Sequence, residues 1–150
     1  MKLSEFVHLN EVRLELAAAS KDAALEELVG LLKLERRAQE ILVSLLKKRE
    51  ALGSTGIGSG VAIPHSRSLV VERLRVAFGR RPQGIEFAAL DGKPVRYLFL
   101  IVAPPLEVSN QYLPVLGRIA QFCKNRENLE KLDRVRTPQE FLAVLDAADV

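Results

Sequence analysis

Few side chains in this 150-residue sequence are equipped for chemistry: it has two histidines, one cysteine and no tryptophan. His65 stands out by its context. It follows the short apolar stretch Val61-Ala62-Ile63 and Pro64, whose ring fixes φ. Upstream lies Gly53-Ser54-Thr55-Gly56-Ile57-Gly58-Ser59-Gly60, with four glycines in eight residues. An imidazole can act as a nucleophile near neutral pH, because its ordinary pKa of about 6.5 leaves much of it neutral with a free lone pair. A phosphoryl acceptor needs that lone pair, together with groups that stabilise negative charge spread over three oxygens. Arg49 offers a planar fork for those oxygens, Ser54 and Thr55 offer hydroxyl donors, and the glycines permit backbone N–H groups to converge on an anion. Spacing alone fits a second reading equally well, with Arg49 a solvated helix-end cation and His65 an ordinary turn histidine.

Other chemistries fit less well. The glycine-rich run matches neither G-x-x-x-x-G-K-[ST] nor G-x-G-x-x-G, and it precedes a strand, whereas both nucleotide motifs lead from a strand into a helix. No H-x-x-x-H or C-x-x-C spacing is present, so no metal is expected. His8 reads as a surface or N-terminal packing residue. Cys123, on an apolar helix face, reads as a packed thiol. A single cysteine forms no internal disulfide and agrees with a reducing compartment. The sequence is 48% hydrophobic and 27% charged, which fits one globular domain over residues 1–150. Net charge is +3 and the pI about 9.2, yet the basic residues are interleaved with acidic ones and no basic helix carries aromatics, so nucleic acid is not expected. The longest apolar run, Leu98 to Ala103, is far short of the roughly 18 residues of a membrane span. With no signal-like N-terminus, the expected location is the cytoplasm.

The elements that must position His65 can be read from periodicity. Val12, Leu14 and Leu16 alternate with Arg13 and Glu15 as a half-buried strand. Ser20 caps a helix running to about Lys33. A second helix presents Ala38, Ile41, Leu42, Leu45 and Leu46 on one face and ends near Leu52, at Gly53. The glycine-rich segment reads as a loop with unusual backbone angles, followed by a short strand over Val61–Ile63. Leu74, Val76 and Phe78 mark another strand, Ile85 and Phe87 hint at a short one, and Asp91-Gly92 makes a turn. Val95 to Ala103 has the near-continuous apolar character of a central strand covered on both faces. A third helix is expected to start around Ser109 or Asn110, with Pro114 arguing for a later or irregular start. A short helix around Glu127–Leu132 and a well-capped one from Thr137-Pro138-Gln139-Glu140 complete the chain. The expected fold is α/β, a single compact domain with a mixed sheet and helices on both sides.

The stretch from Arg49 through Glu50-Ala51-Leu52-Gly53-Ser54-Thr55-Gly56-Ile57-Gly58 to Val61-Ala62-Ile63-Pro64-His65 resembles the active-site signature of the mannitol/fructose-type enzyme IIA family of the bacterial phosphotransferase system, especially its nitrogen-regulatory branch. The order of elements is similar across nearly the whole chain. The resemblance implies that His65 takes a phosphoryl group from a phosphorylated HPr-like carrier. Arg49, Ser54 and Thr55 then sit where the family surrounds the phosphorylated ring. The recipient is a regulatory target protein or, in sugar-transporting members, a IIB partner. No small-molecule cofactor is implied.

Two positions depart from the family. Ser66 stands where glycine usually follows the histidine, and Tyr112-Leu113 stands where a second histidine precedes leucine. A tyrosine hydroxyl still donates a hydrogen bond but does not become a cation near neutral pH, so phosphoryl acceptance is expected to be slower or differently poised. No transmembrane or IIB-like segment is evident, which favours a regulator over a transporter subunit. A binding-only protein without phosphotransfer is the remaining alternative, supported by Tyr112.

Overall fold

The computed structural model describes residues 2–107 and 110–150. Its centre is β6, Val95–Ala103, the strand expected from its apolar run; all nine residues are buried except Arg96. On one side β6 pairs antiparallel with β5, Arg75–Ile85, which pairs parallel with β1, Val12–Arg13. On the other side it pairs parallel with β3, Val61–Ala62, and further along with β4, His65–Arg67. β2, Gly56–Gly58, closes this side antiparallel to β3. The sheet order is β1-β5-β6-β3-β2 with β4 also on β6, a mixed sheet as expected.

Alternate residues of β5 and β6 feed two cores. Val76, Phe78, Phe99 and Ile101 pack under α3, Tyr112–Cys123, α4, Arg126–Arg134, and α5, Pro138–Ala147. Ala77, Leu98, Leu100 and Val102 pack under α1, Lys21–Gly30, and α2, Arg36–Leu52. Phe141 of α5 stacks on Phe78 at 4.3 Å between ring centres, which adds aromatic contact to the area it buries.

Several local expectations change in detail. The first strand pairs only over Val12–Arg13, because the buried Arg80 donates from Nε to the Leu14 carbonyl (3.0 Å) and from Nη1 to the carbonyls of Leu132 (2.7 Å) and Val135 (2.8 Å). That guanidinium takes the ladder's acceptor and ties β5 to the end of α4. Leu16 then returns to the sheet through its N–H to Arg80 O, 2.8 Å. Ser20 caps α1 as expected, accepting from Ala23 N. The helix ends at Gly30, and tighter i→i−3 bonds carry Leu31 and Leu32 on to Lys33, at φ 57°. In α2 only Leu42 and Leu46 of the expected apolar face are fully buried, and Ile41 is exposed. The strand expected from Leu74, Val76 and Phe78 and the short one hinted at by Ile85 and Phe87 are one strand, Arg75–Ile85, with a register shift between Arg80 and Ile85. Part of the glycine-rich run is an edge strand as well as a turn.

α3 begins at Tyr112, so Pro114 falls in the first turn, where the missing N–H is one of the donors a helix leaves unbonded anyway. Asn110, at φ 51°, lies outside the helix, and Ser109 is outside the described residues. Glu107 Oε1 accepts from the N–H groups of Gln111 (2.9 Å) and Tyr112 (3.0 Å) and so caps that start. Among the described residues no helix is long and apolar enough to cross a membrane.

Candidate active site around His65

His65 opens β4, in register with Ile101, and Arg67 is in register with Ala103. Residues two apart on a strand share a face, so both project on the α3 side, where Ile101 and Ala103 are packed. Pro64 O accepts from Ile101 N at 3.0 Å, which pins the step between β3 and β4. The ring itself is half-buried, and its Nδ1 lies 2.7 Å from Ile63 O. A carbonyl only accepts, so Nδ1 carries the hydrogen; in the neutral ring Nε2 then holds the lone pair. The backbone thereby selects which nitrogen can attack.

Tyr112, from the first turn of α3, stands 6.2 Å from His65 between ring centres. Arg67 lies over the tyrosine ring at 4.4 Å, a cation–π stack, and its Nη1 donates to Pro104 O at 3.1 Å. Burial pushes the Tyr112 hydroxyl pKa up, and the positive charges of Arg67 and Arg49 act in the opposite direction. Two arginines therefore act on the hydroxyl of the tyrosine that neighbours His65. Arg49 comes from the last turn of α2, where its Nη1 donates to Gly53 O at 2.8 Å.

The two hydroxyls expected near the ring have protein partners of their own. Ser54 Oγ donates to Phe87 O (2.6 Å) and accepts from Gly56 N (3.0 Å). Thr55 is buried, its Oγ1 donates to Glu50 Oε2, and its N–H donates to Glu50 Oε1 at 3.1 Å. Glu50 is buried too, and Lys21 Nζ pairs with its Oε1 at 3.0 Å. The loop is thus nailed to α1 and α2 through one buried carboxylate. A Cβ on Gly56 would stand 2.7 Å from Ala89 Cβ and 2.9 Å from Ala89 Cα, so only glycine permits this close approach. Gly58, Ser59 and Gly60 follow with φ of 99°, 58° and 79°, the unusual angles expected of the run.

Periodicity did not single out Arg67, Glu50 or Lys21. Arg67 carried a signal, its position two residues beyond His65 in an extended segment; the pairing of Glu50 with Lys21 carried none. His8 is exposed and accepts from Arg73 at 3.0 Å, a surface role as expected. Cys123 is buried, its thiol pushed up to about 12 by burial, in keeping with packing.

Four large apolar side chains lie exposed on the segments that bound this site: Leu52 at the end of α2, Leu69 after β4, Leu106 after β6 and Leu113 beside Tyr112, at 86%, 88%, 92% and 67%.

Comparison with known proteins agrees with the fold. Residues 5–148 match the family model described as phosphoenolpyruvate-dependent sugar phosphotransferase system, EIIA 2. The chain is 32% identical to a nitrogen regulatory protein of Bradyrhizobium diazoefficiens, over 97% of this chain and 95% of that one. It is 34% identical to a fructose-specific EIIA component of Haloferax volcanii, over 94% of each. It spans about a quarter (24%) of the fructose-specific EIIABC component of Bacillus subtilis, at 28% identity. Its backbone superposes on the crystal structure of nitrogen regulatory protein IIA-Ntr from Neisseria meningitidis with a TM-score of 0.86, at 34% identity and covering 95% and 98% of the two chains. With the signature run, the mixed sheet and the match over nearly its full length in agreement, the chain belongs to the EIIA 2 family of the phosphoenolpyruvate-dependent sugar phosphotransferase system.

Proposed function

We propose that residues 1–150 act as a single cytoplasmic phosphocarrier domain, of the nitrogen-regulatory kind, in which His65 accepts a phosphoryl group from a phosphorylated HPr-like carrier and signals its state to a partner protein. The observation that carries this is the bond between Nδ1 and Ile63 O, which leaves the lone pair on Nε2 of a ring 6.2 Å from that of Tyr112, over which Arg67 lies. In the transfer, Nε2 forms the bond to phosphorus while the bond to the donor's nucleophile breaks and its electron pair leaves with the donor. The hydrogen stays on Nδ1, donated to Ile63 O, so no proton need move. The negative charge on the three oxygens is met by the Arg49 fork, whose anchor at Gly53 O holds it near the loop. Ser54 and Thr55 shape that loop; a direct bond from either hydroxyl to phosphate requires exchange of the bond each now makes. Exposed leucines around an ionic centre suit a protein partner, and about two added negative charges there alter its affinity.

Intact-mass measurement after incubation with phosphoenolpyruvate, enzyme I and the HPr-like carrier tests this. One acid-labile phosphoryl mass is expected, absent in His65→Ala. No gain with a demonstrably active carrier would make the binding-only reading the leading one. A second reading has its own support in the fructose-specific relative from Haloferax: a IIA component that hands the group to a IIB partner. Discharge of the phosphorylated protein by a IIB domain, and retained partner control without one, separate the two.

A further inference from the structure

Arg67 occupies a position that the transfer chemistry does not require in the resting protein. Its guanidinium spans two elements, lying on the Tyr112 ring of α3 at 4.4 Å and donating to Pro104 O just beyond β6 at 3.1 Å. It shares the face of β4 that carries His65, with the two Cα atoms about 6.6 Å apart at strand rise. It also lines a cavity of about 310 Å³ together with Pro105, Leu106, Glu107 and Asn110. Among the described residues, the resting partners of Arg67 are an aromatic face and one neutral carbonyl. Bidentate, charge-assisted bonds to a phosphoryl group are roughly twice as strong as neutral ones, so a phosphoryl group on Nε2 is the better partner.

Resting on the phosphocarrier reading, we infer that Arg67 is a phosphorylation-sensitive latch: on phosphorylation of His65 its guanidinium leaves Tyr112 and Pro104 O for the phosphoryl oxygens. The latch supplies the cation that a tyrosine at position 112 does not. Its departure frees the start of the Pro104–Glu107 segment, which carries the exposed Leu106 and, through Glu107, caps α3 at Gln111 and Tyr112. Charge at His65 is thereby converted into a change in the apolar rim that a partner meets. The cavity beside Arg67 gives the segment room to move.

Amide and aromatic NMR spectra of the intact protein and of Arg67→Gln, before and after phosphorylation, test the latch. Two routes are used in parallel: the carrier system, and phosphoramidate, a small-molecule donor that needs no carrier. In the unaltered protein, phosphorylation is expected to move the Leu106 and Glu107 amides and the Tyr112 ring signals. In Arg67→Gln that has been phosphorylated by phosphoramidate, the His65 signals still report the added group, but the Leu106 and Glu107 shifts vanish. The phosphotransfer equilibrium with the carrier falls roughly tenfold, the worth of a hydrogen bond to a charged group. Arg67→Lys, which keeps the charge without the fork, recovers part of that equilibrium and also serves if the glutamine variant folds poorly. Unmoved Leu106 and Glu107 amides in the phosphorylated unaltered protein, or shifts that persist in Arg67→Gln, overturn the latch. Mass gain from phosphoramidate but not from the carrier overturns the phosphocarrier reading alone, and the same shifts then judge the latch. No gain by either route overturns both.

Discussion

The two sides of His65 are built on opposite plans. On the loop side, Glu50, Thr55, Ser54 and Lys21 form a closed set: a buried carboxylate meets an ammonium, a hydroxyl and a backbone N–H, and the Phe87 carbonyl receives both the Ser54 hydroxyl and the Lys21 ammonium, the latter at 3.4 Å. On the α3 side, Arg67 rests on Tyr112 and touches one carbonyl, and among the described residues no hydrogen bond is made by the Tyr112 hydroxyl. A satisfied buried network has one low-energy arrangement and holds a backbone still. A half-exposed cation on an aromatic face has alternatives of similar energy and can change partner. The first side is suited to fixing the Nε2 lone pair in space, the second to responding when that nitrogen acquires charge.

Breaking the closed side should have the largest effect on stability. Glu50→Ala removes the acceptor of Thr55 and Lys21 and should cost about 2–3 kcal/mol in urea unfolding, discounted from a fully buried pair because the Lys21 side chain is 23% exposed. A loss under about 1 kcal/mol would mean the loop is held by other contacts. Gly56→Ala forces a methyl into the Ala89 backbone and should cost about 2 kcal/mol, with weakened phosphotransfer because the loop shifts with it.

A third outcome contrasts the tyrosines. Tyr97 donates to Asp133 and receives Arg96 at 2.8 Å, so Tyr97→Phe should cost about 1 kcal/mol, whereas Tyr112→Phe should lie within about 0.5 kcal/mol. Equal costs would show the α3 side to be as closed as the rest.

The alkaline limb follows from burial. The folded-state pKa values of Cys123, at about 12, and of both tyrosines lie above their ordinary values. The unfolded chain therefore gives up these protons first. Stability present below about pH 9, where free thiols begin to ionise, should fall as pH rises from there, and Cys123→Ala should flatten the first part of the fall in pH-dependent denaturation.

Much of this was legible before any coordinates. Ser20 and Thr137 announce their helices because a cap acts on the next three residues. β6 announces itself because a strand covered on both faces has no polar face to show. The run from Arg49 to His65 is legible because it is a local signal with the candidate histidine at its end. The structure differs where a distant group intervenes: the strand over Val12–Leu16 is cut short by Arg80 reaching from β5 to Leu14 O, and the hydroxyls of Ser54 and Thr55 are engaged by Phe87 O and Glu50.

By itself, then, the sequence determined the class of fold, the candidate histidine and the loop beside it, since each depends on periodicity and capping over a few residues. Tertiary structure decided which arginine lies on Tyr112, which carboxylate holds Thr55, and that α3 sets Tyr112 beside the imidazole. Those facts depend on side chains far apart in the chain, brought together only when both cores close on the sheet, and no short-range pattern encodes them.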